Sequence, residues 1–350
     1  MNVAERLKLS IRLANFDKES VDFEKCVFEA SARGKKVPLL KIMQTTACDK
    51  NCNYCIFRRD RDETRRVFLK PEEIAYAANA LYEKGKIQGI FLSSGVFFNP
   101  EFTMQNMIDT ASILRKKYKF RGYIHLKIMP KASLQSIEEA IKLANRVSVN
   151  LETTREFRMQ EIAKGKSLVN DLLPKVKTIH KLLENYPGKS QITQLMVGVQ
   201  DEKDKEVLHL VSQIIKKYKV SRFYFSAFHP IPNTPLEQNP PEDPKRELRL
   251  YQAEFLIREY GFSFEDFLSV FQNSNLPLDK DPKETWAEVN RELFPVNVNK
   301  APFELLMRVP GIGRVGAKTI IKRRREKMLT SIYDLRGLRN LGKIARYITF

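Results

Sequence analysis

The alternation of strand-like and helix-like segments predicts an α/β fold: an open partial barrel of six parallel strands, followed by a small all-α domain. Between the strands lie segments with helical periodicity that begin near residues 71, 104, 133, 169 and 205. Repeated strand and helix units indicate parallel strands joined by right-handed crossovers. Six units instead of eight favour a partial (β/α)6 barrel, with its site in the loops that follow the strands. The six apolar runs typical of buried strands are LLKIMQT (39–45), IQGIFLS (87–93), YIHLKIM (123–129), VSVNLET (147–153), ITQLMVGV (192–199) and FYFSAF (223–228).

The same patterns divide the chain into four regions. We expect an N-terminal helical extension over residues 1–37, the barrel over 38–236, a helical and proline-rich connector over 237–295, and a C-terminal domain over 296–350. The proline-rich stretch HPIPNTPLEQNPPEDPKR ends the barrel, and a helix is predicted after it, from about residue 246 to residue 260.

Composition narrows the class of protein before any motif is considered. Of the 350 residues, 43% are hydrophobic and 29% are charged, which is typical of a folded globular protein with a large core. No apolar run approaches the roughly 20 residues of a membrane span. The N-terminus, MNVAERLKLSIRLANFD, has apolar residues at helical spacing with charges between them, whereas a signal peptide needs an unbroken apolar stretch. We therefore expect a cytoplasmic protein with no membrane partner.

Positive charge is concentrated near the C-terminus. The formal net charge is +19, and residues 297–350 hold thirteen Lys and Arg against three acids, a net +10. Such a basic segment predicts a polyanionic partner.

Three of the four cysteines lie in one short stretch, TTACDKNCNYCIF (45–57), at positions Cys48, Cys52 and Cys55. Three thiolates suffice to bind a 4Fe–4S cluster with one iron left without a protein ligand, whereas a structural zinc site normally has a fourth ligand. No further Cys or His lies nearby in the sequence. The spacing therefore predicts an open iron–sulfur cluster, with a zinc knuckle or unligated thiols as the alternatives.

This cysteine motif resembles that of the radical S-adenosylmethionine (SAM) superfamily, Cys-x3-Cys-x2-Cys with an aromatic residue before the last Cys, here Tyr54. The resemblance implies a 4Fe–4S cluster whose open iron is chelated by SAM, an electron donor such as a ferredoxin or flavodoxin, and a 5'-deoxyadenosyl radical that abstracts hydrogen from a substrate. It also implies a partial barrel with the cluster on the loop after the first strand.

The resemblance also assigns residues to SAM binding, in addition to Tyr54. The stretch LSSGVFFNP stands where the family has Gly-Gly-Glu-Pro, and it keeps small residues but lacks the acid. The stretch VNLETT resembles a ribose-binding motif, and its Asn150 and Glu152 alternate onto one face of a strand. For Glu152, a surface acid at a strand end is the alternative. The other assigned positions are Ser93, Ser94 and Gly95 for the SAM amino group and Gly198 for adenine.

For several further residues the sequence leaves two interpretations open. His125 and Lys127 share a face of the third strand and point either into the barrel or, for the lysine, to the strand end. His229 follows the sixth strand and is either a pocket residue or a structural turn residue. Arg58, Arg59, Arg65 and Arg66 either guide a phosphate backbone or form a solvated turn. Cys26 is either a hydrogen donor or a small buried hydrophobe.

The basic segment VNVNKAPFELLMRVPGIGRVGAKTIIKRRRE resembles a helix-hairpin-helix module. Gly311 and Gly313 permit a tight hairpin whose backbone N–H groups approach a phosphate closely. A weaker second half follows in YDLRGLRNLGKIARYI, and a protein-docking helical pair is the alternative. The cations placed at helical spacing for DNA contact are Arg314, Lys318, Lys322 and Arg323.

A radical SAM barrel joined to a C-terminal helix-hairpin-helix resembles the family of radical SAM proteins assigned to DNA modification or repair. The expected function is therefore radical chemistry on a nucleotide in DNA, with DNA favoured over RNA. The alternatives are a radical SAM enzyme that modifies RNA and a non-catalytic iron–sulfur DNA-binding protein. A base-excision glycosylase is disfavoured because its cluster is closed by four cysteines in an all-helical fold.

Overall fold

The computed structural model describes residues 1–14, 27–32 and 35–350, so Cys26 lies outside the described residues. Seven strands form one sheet in sequential order, in which the first strand pairs antiparallel with the second. The other six are parallel and curl into a half-barrel, which confirms the predicted fold. The strands are β1 (Val27–Ala32), β2 (Lys35–Met43), β3 (Gly89–Ser93), β4 (Tyr123–Lys127), β5 (Arg146–Glu152), β6 (Ser190–Val197) and β7 (Phe223–Ala227).

Helices connect the strands where periodicity predicts them. The helix predicted from residue 104 begins earlier, at Pro100, because the Asn99 side chain accepts the Phe102 N–H at 2.7 Å and caps it. A π-helical segment, Leu168–Leu172, precedes the helix predicted from residue 169. The helices of this half are α1 (Val3–Ala14), α2 (Pro71–Glu83), α3 (Pro100–Lys116), α4 (Leu134–Leu143), α5 (Glu156–Ile162), α6 (Leu173–Leu183) and α7 (Asp204–Tyr218).

The remainder of the chain is mainly helical. Its elements are α8 (Pro244–Tyr260), α9 (Pro282–Val289), β8 (Val296–Asn297), α10 (Phe303–Arg308), α11 (Arg314–Glu326), a 3-10 turn (Ile332–Leu335), α12 (Leu341–Ile344) and β9 (Ile348–Thr349). The two-residue strands β8 and β9 pair in parallel and bring the ends of the C-terminal domain together.

The chain divides into two compact units. The first comprises Met1–Met196, Tyr218–Tyr224 and Phe228–Pro241, and the second comprises Val197–Lys217, Phe225–Ala227 and Glu242–Phe350. In the second unit, one apolar cluster of the C-terminal domain is formed by residues of α10, α11, α12 and the two short strands. No helix of the described residues is long and apolar enough to cross a membrane.

Candidate functional site

The cysteine loop, residues 44–57, follows β2 and is fixed along its first residues by the chain that returns at residues 64–69. The Thr45 hydroxyl donates to the Val67 carbonyl at 2.8 Å, and the Thr46 hydroxyl donates to the Arg65 carbonyl at 2.9 Å. Further along, the Asn53 N–H donates to the Ile162 carbonyl at the end of α5, at 2.8 Å. The loop is therefore held at two separate places in the first unit.

The three thiols of the loop have a partly buried environment. Cys52 is buried, while Cys48 and Cys55 are partly exposed. Burial, with a smaller contribution from Cys52, raises the pKa of the Cys55 thiol to about 12, and burial also raises the pKa of Cys48. The Phe57 N–H donates to the Cys55 sulfur at 3.4 Å, a contact that favours a thiolate. Metal binding would be needed to deprotonate Cys48 and Cys55 at neutral pH.

The three thiols of the loop match the donor set of an open iron–sulfur cluster. Across the described ranges, no three His, Cys, Asp or Glu side chains converge as ligands of one ion. In an iron–sulfur cluster, by contrast, each thiolate binds a different iron, so the sulfurs need not converge on one point. The donor set therefore fits the predicted 4Fe–4S cluster.

Two of the four arginines that follow the cysteines are used to shape the loop. The Arg66 guanidinium donates to five backbone carbonyls, those of residues 46, 57, 58, 59 and 61. Arg58 is buried, and its Nε donates to Asn51 Oδ1 at 2.8 Å. Arg59 and Arg65 are exposed, and Arg59 pairs with Asp60 at 2.8 Å. A role in phosphate guidance is therefore left to Arg59 and Arg65.

Gly95, assigned to SAM from the sequence, has a packing reason to be glycine. A Cβ at this position would overlap the Ala47 carbonyl oxygen and lie 3.1 Å from the Cys48 Cβ. The Gly95 N–H donates to the Thr45 carbonyl at 2.9 Å, and the Asp49 N–H donates to the Val96 carbonyl at 2.6 Å. The loop after β3 therefore lies directly against the cysteine loop.

Ser93 and Ser94, the other residues of that stretch, are partly buried. The Ser93 carbonyl accepts the Gln44 N–H at 2.8 Å, and the Ser94 hydroxyl donates to the neighbouring Gly95 carbonyl at 2.7 Å.

A buried ion pair that the sequence did not reveal lies beside the cysteine loop. Lys166 Nζ donates to Glu152 Oε1 at 2.9 Å and to the Tyr54 hydroxyl at 3.1 Å. Burial opposes both charges, but Lys166 and Lys127 hold the pKa of Glu152 below its usual value. Likewise, burial lowers the pKa of Lys166, but Cys52, Glu152 and Tyr54 together raise it well above its usual value. Both groups are therefore charged at neutral pH, and the surface-acid alternative for Glu152 is wrong.

Lys166 reaches this position through the path of the chain after α5. Helix α5 ends at Ile162, whose carbonyl accepts a hydrogen bond from the cysteine loop. Gly165 then turns the chain with φ of +91°. This turn brings Lys166 back toward Glu152, whose own backbone has φ of +64° at the end of β5. The only signal in the sequence is a lysine after a glycine, which has no specificity of its own.

The neighbouring strand residues extend the polar interior of the first unit. Asn150 Nδ2 donates to Gln194 Oε1 on β6 at 3.2 Å, so its amide is partly buried and oriented. His125 is buried, stacks on Phe91 with ring centroids 4.2 Å apart, and shares a hydrogen bond with Ser148 at 2.9 Å. Burial lowers the pKa of His125 well below its usual value, so the ring is neutral.

Gly198 and His229, two other residues singled out in the sequence, are placed as follows. Gly198 has φ of +81°, donates its N–H to the Glu202 carboxylate, and has Glu242 where a Cβ would stand. These contacts explain why residue 198 is a glycine without any contact to the adenine of SAM. His229 is exposed after β7.

The hairpin of the C-terminal domain is built from glycines in close contact with neighbours in the second unit. Gly311 has φ of +87°, and a Cβ there would lie 2.8 Å from Ile344 Cγ1 on α12. A Cβ at Gly313 would lie 2.7 Å from the Tyr260 hydroxyl, which also accepts the Arg314 N–H. Lys283 Nζ donates to the Ile312 carbonyl at 2.6 Å. Tyr260 and Lys283 are thus parts of the hairpin environment that the sequence motif did not include.

Beside this hairpin is a cavity of about 300 Å³. Residues 310–313 line it, and Tyr260, Lys283, Asn340 and Lys343 are among its other lining residues. Acids offset the two lysines of this cavity, since Asp281 also lines it and Lys343 is paired with Glu284 at 2.5 Å.

The cations predicted for DNA contact separate into two groups. Arg323 Nη1 donates to the Asp334 carbonyl at 2.7 Å, and Arg314 Nη2 donates to the Glu259 carbonyl at 3.1 Å. Lys318 and Lys322, one helical turn apart on α11, are exposed. The two lysines are therefore better placed for a phosphate backbone than Arg323, whose guanidinium joins α11 to the 3-10 turn.

Comparison with known proteins agrees with this architecture. Residues 42–214 match the radical SAM superfamily model, and residues 294–345 match a helix-hairpin-helix motif model. Proteins of this superfamily bind a 4Fe–4S cluster and SAM, which confirms the two cofactors predicted from the sequence. No curated protein matches the sequence.

Solved structures share the fold at low sequence identity. The FeFe-hydrogenase maturase HydG from Carboxydothermus hydrogenoformans is 17% identical with a TM-score of 0.51, over 86% of this chain and 79% of that one. Methylornithine synthase (PylB) is 16% identical with a TM-score of 0.51, over 73% and 72%. Another HydG structure, 13% identical with a TM-score of 0.49, is matched over 62% of this chain but only 48% of its own. The chain therefore combines a radical SAM domain, over residues 42–214, with a helix-hairpin-helix domain at its C-terminus.

Proposed function

We propose that this protein is a radical SAM enzyme whose substrate is a nucleotide in DNA. The observation that carries the proposal is the helix-hairpin-helix domain, with its glycine hairpin and the exposed Lys318 and Lys322 on the following helix. Backbone N–H groups and lysines of this kind contact phosphates, which positions a protein on nucleic acid without reading its sequence. The domain would therefore deliver DNA of any sequence to the radical SAM domain.

The cofactor residues follow from the cysteine loop and the strand ends around it. Cys48, Cys52 and Cys55 would hold the cluster, and Tyr54 lies between them with its hydroxyl on Lys166. When bound, the cluster and SAM supply a 5'-deoxyadenosyl radical that abstracts a hydrogen atom from the substrate. The protein's part is to hold SAM, exclude water and present the substrate.

We assign SAM contacts to the polar side chains at the ends of β3 and β5. Glu152 is ionised, and its carboxylate accepts hydrogen bonds from Lys166 and from the Tyr54 hydroxyl. A carboxylate has about four acceptor positions, so it can still accept a ribose hydroxyl. Asn150 lies on the same strand and is oriented by Gln194. Lys166 would serve as the positioning residue that keeps the Glu152 carboxylate charged and in place. For Gly95, close contact with the cysteine loop supports a structural role beside the cluster.

Anaerobic incubation of the reconstituted protein with SAM, a reductant and either DNA or RNA, followed by nucleoside mass spectrometry, tests the proposal. We expect 5'-deoxyadenosine together with a changed nucleoside in the DNA digest, and neither with the Cys48→Ala variant. A changed nucleoside in the RNA digest alone would show that the substrate is RNA and not DNA. Production of S-adenosylhomocysteine without 5'-deoxyadenosine would mean methyl transfer and would contradict the proposed reaction.

A further inference from the structure

Four phenylalanine rings cluster at the surface of the first unit, beside the loop that follows β3. Phe68 lies 6.2 Å from Phe97 and 6.3 Å from Phe102, measured between ring centroids, and Phe98 lies 5.8 Å from Phe102. Phe97, Phe98 and Phe102 are 37%, 76% and 40% exposed. Single exposed apolar residues are ordinary, but a contiguous group of aromatic rings at the surface is typical of a binding site.

The backbone that carries the most exposed ring is held in a costly conformation. Phe98 has φ of +65°, a region that bulky L-residues rarely occupy because it is strained. The Asn99 N–H closes the turn by donating to the Phe97 carbonyl at 2.8 Å. The buried Thr103 hydroxyl contacts both the N–H and the carbonyl of Phe97, each at 3.0 Å. The turn is therefore fixed, and it presents Phe98 to solvent.

The aromatic cluster is continuous with the cysteine loop. Val96, the residue before Phe97, accepts the Asp49 N–H, and Gly95 packs on Ala47 and Cys48. A molecule that covers these rings therefore lies next to the loop that carries the predicted cluster ligands.

Positive charge accompanies the rings. Over residues 66–70 burial alternates, with Val67 and Leu69 buried and the residues between them facing outward. Arg66, Phe68 and Lys70 therefore share one face of this extended segment. The Arg66 guanidinium is bonded to carbonyls of the cysteine loop, so the exposed Lys70 is the cation of this face that can meet a phosphate. Glu101, an acid beside Phe102, has its carboxylate bound to Ser133 and Ser136. Aromatic rings beside an exposed lysine, with the nearby acid already bonded, match the chemistry of a nucleic-acid single strand, with its flat bases and phosphates.

We propose that Phe68, Phe97, Phe98 and Phe102 form a stacking surface for the unpaired bases of single-stranded DNA beside the cysteine loop. This inference rests on the proposed function and makes it more specific, since it states the form in which the DNA is bound. Radical chemistry on a base inside a duplex requires that base to leave the stack, and a surface that binds unpaired bases lowers the cost of that step.

The test is binding of the full-length protein to three labelled probes: an oligothymidylate, an abasic strand of the same length, and a duplex. Each stacked base contributes about 1 to 3 kcal/mol, so Phe98→Ala should weaken oligothymidylate binding by about 5- to 140-fold. Binding of the abasic strand and the duplex should change little because it depends on phosphate contacts. Phe98→Trp should retain oligothymidylate affinity. Tyr76→Ala, which removes a 67% exposed ring from α2, is the matched control.

If Phe98→Ala weakens binding of the oligothymidylate and of the abasic strand equally, or weakens neither, the proposed stacking surface is wrong. If Phe98→Ala leaves oligothymidylate affinity intact but slows reduction of the cluster by flavodoxin, the surface binds the reductant protein and the inference is wrong. If the wild-type protein binds the probes through α11 alone, the proposed stacking surface is refuted but DNA binding is not. If the wild-type protein binds none of the probes, the proposal that it acts on DNA is refuted as well.

Discussion

Lys166 and Glu152 form a salt bridge of 2.9 Å whose two side chains are only 11% and 9% exposed. Two charges removed from water are tolerated together because each compensates the other, and removal of one partner leaves an unpaired buried charge. The same lysine also contacts the hydroxyl of Tyr54, between the second and third cysteines of the loop. The pair therefore connects the end of β5 to the cysteine loop.

Lys166→Met should destabilise the protein by about 3 to 5 kcal/mol, because the Glu152 carboxylate stays buried without its partner. Thermal unfolding of the cofactor-free protein measures this effect. Addition of Glu152→Gln to Lys166→Met should restore a large part of the loss, since the buried charge is then absent. Lys164→Met removes an exposed lysine two residues away and should change the stability by less than about 0.5 kcal/mol. Equal effects at positions 164 and 166 would contradict the buried pair.

Replacement of Cys48, Cys52 and Cys55 together by Ala should abolish cluster assembly. The wild-type protein should take up about four iron and about four sulfide per chain under anaerobic reconstitution, since three thiolates suffice for the cluster. Iron and sulfide analysis with absorption spectroscopy measures the outcome. Cys26→Ala is the matched control and should keep the full iron content. Stoichiometric zinc that resists exchange for iron would show that the site is a mononuclear metal site instead.

Gly95→Ala should disturb the cysteine loop although it adds only one methyl group. The new Cβ would overlap the Ala47 carbonyl, a backbone atom that cannot rotate away. We expect a loss of about 1 to 3 kcal/mol in stability and a reduced iron content, as for overpacking of a dense core. Gly342→Ala is the control, because nothing lies within 4 Å of a Cβ at that position. Normal iron uptake and stability in the Gly95→Ala variant would show that the two loops do not need this close contact.

The sequence predicted the barrel because its signals are local. Each buried strand is a short apolar run, and each helix between the strands carries its own periodicity. The cysteines were equally visible, since the three thiols of the motif fall within eight residues of one loop. Gly95 was also singled out, but its reason to be glycine, contact with Ala47, depends on how two loops meet.

Other parts of the site depend on contacts between residues far apart in the sequence. Lys166 and Tyr54 are separated by 112 positions, and no periodic pattern connects them. On α11, Lys322 and Arg323 are adjacent cations with the same helical propensity and charge, yet only the arginine reaches the Asp334 carbonyl of the 3-10 turn. Sequence reasoning therefore found the helix but could not tell which of its cations the fold uses.

Lys283 should make the stability of the second unit depend on pH. Burial lowers the pKa of Lys283 to about 7, whereas a lysine in the unfolded chain titrates near pH 10.4. Above pH 7 the unfolded state therefore binds one proton more than the folded state, so stability rises with pH up to about pH 10. The slope should approach about 1.4 kcal/mol per pH unit, and below pH 7 Lys283 should contribute no further change.

Thermal unfolding of wild type and Lys283→Met at pH 7 and pH 9 measures this contribution. The advantage of wild type over the variant should be larger at pH 9 than at pH 7. Lys300→Met, which removes an exposed lysine, should give the same difference at both pH values. A constant difference for Lys283→Met would mean that Lys283 remains charged in the folded protein, stabilised by the Ile312 carbonyl and by the Tyr260 ring 4.8 Å away.

Lys318→Ala together with Lys322→Ala should weaken duplex DNA binding and make it less sensitive to salt. Each lysine that neutralises a phosphate contributes about −0.9 to the slope of log affinity against log salt, so loss of two should make that slope less negative by about 1.8. Fluorescence anisotropy across a salt titration with duplexes of unrelated sequence measures the effect, which should vary little with sequence. Lys177→Ala with Lys181→Ala, an equally spaced exposed pair on α6, is the matched control and should leave the slope unchanged.

Arg323→Ala should behave differently from the lysine pair although it also removes one positive charge. Its guanidinium donates to the Asp334 carbonyl at 2.7 Å, so its loss should lower the stability of the C-terminal domain by roughly 1 to 3 kcal/mol. Its effect on the salt slope should be small.

Val substitution of both Gly311 and Gly313 should reduce the affinity for duplex DNA, because Gly311 has φ of +87° and a side chain at either position collides with a neighbour. If the lysine pair and the glycine pair both leave duplex affinity unchanged across the salt titration, the hairpin and α11 do not bind DNA, and the proposed substrate loses its main support.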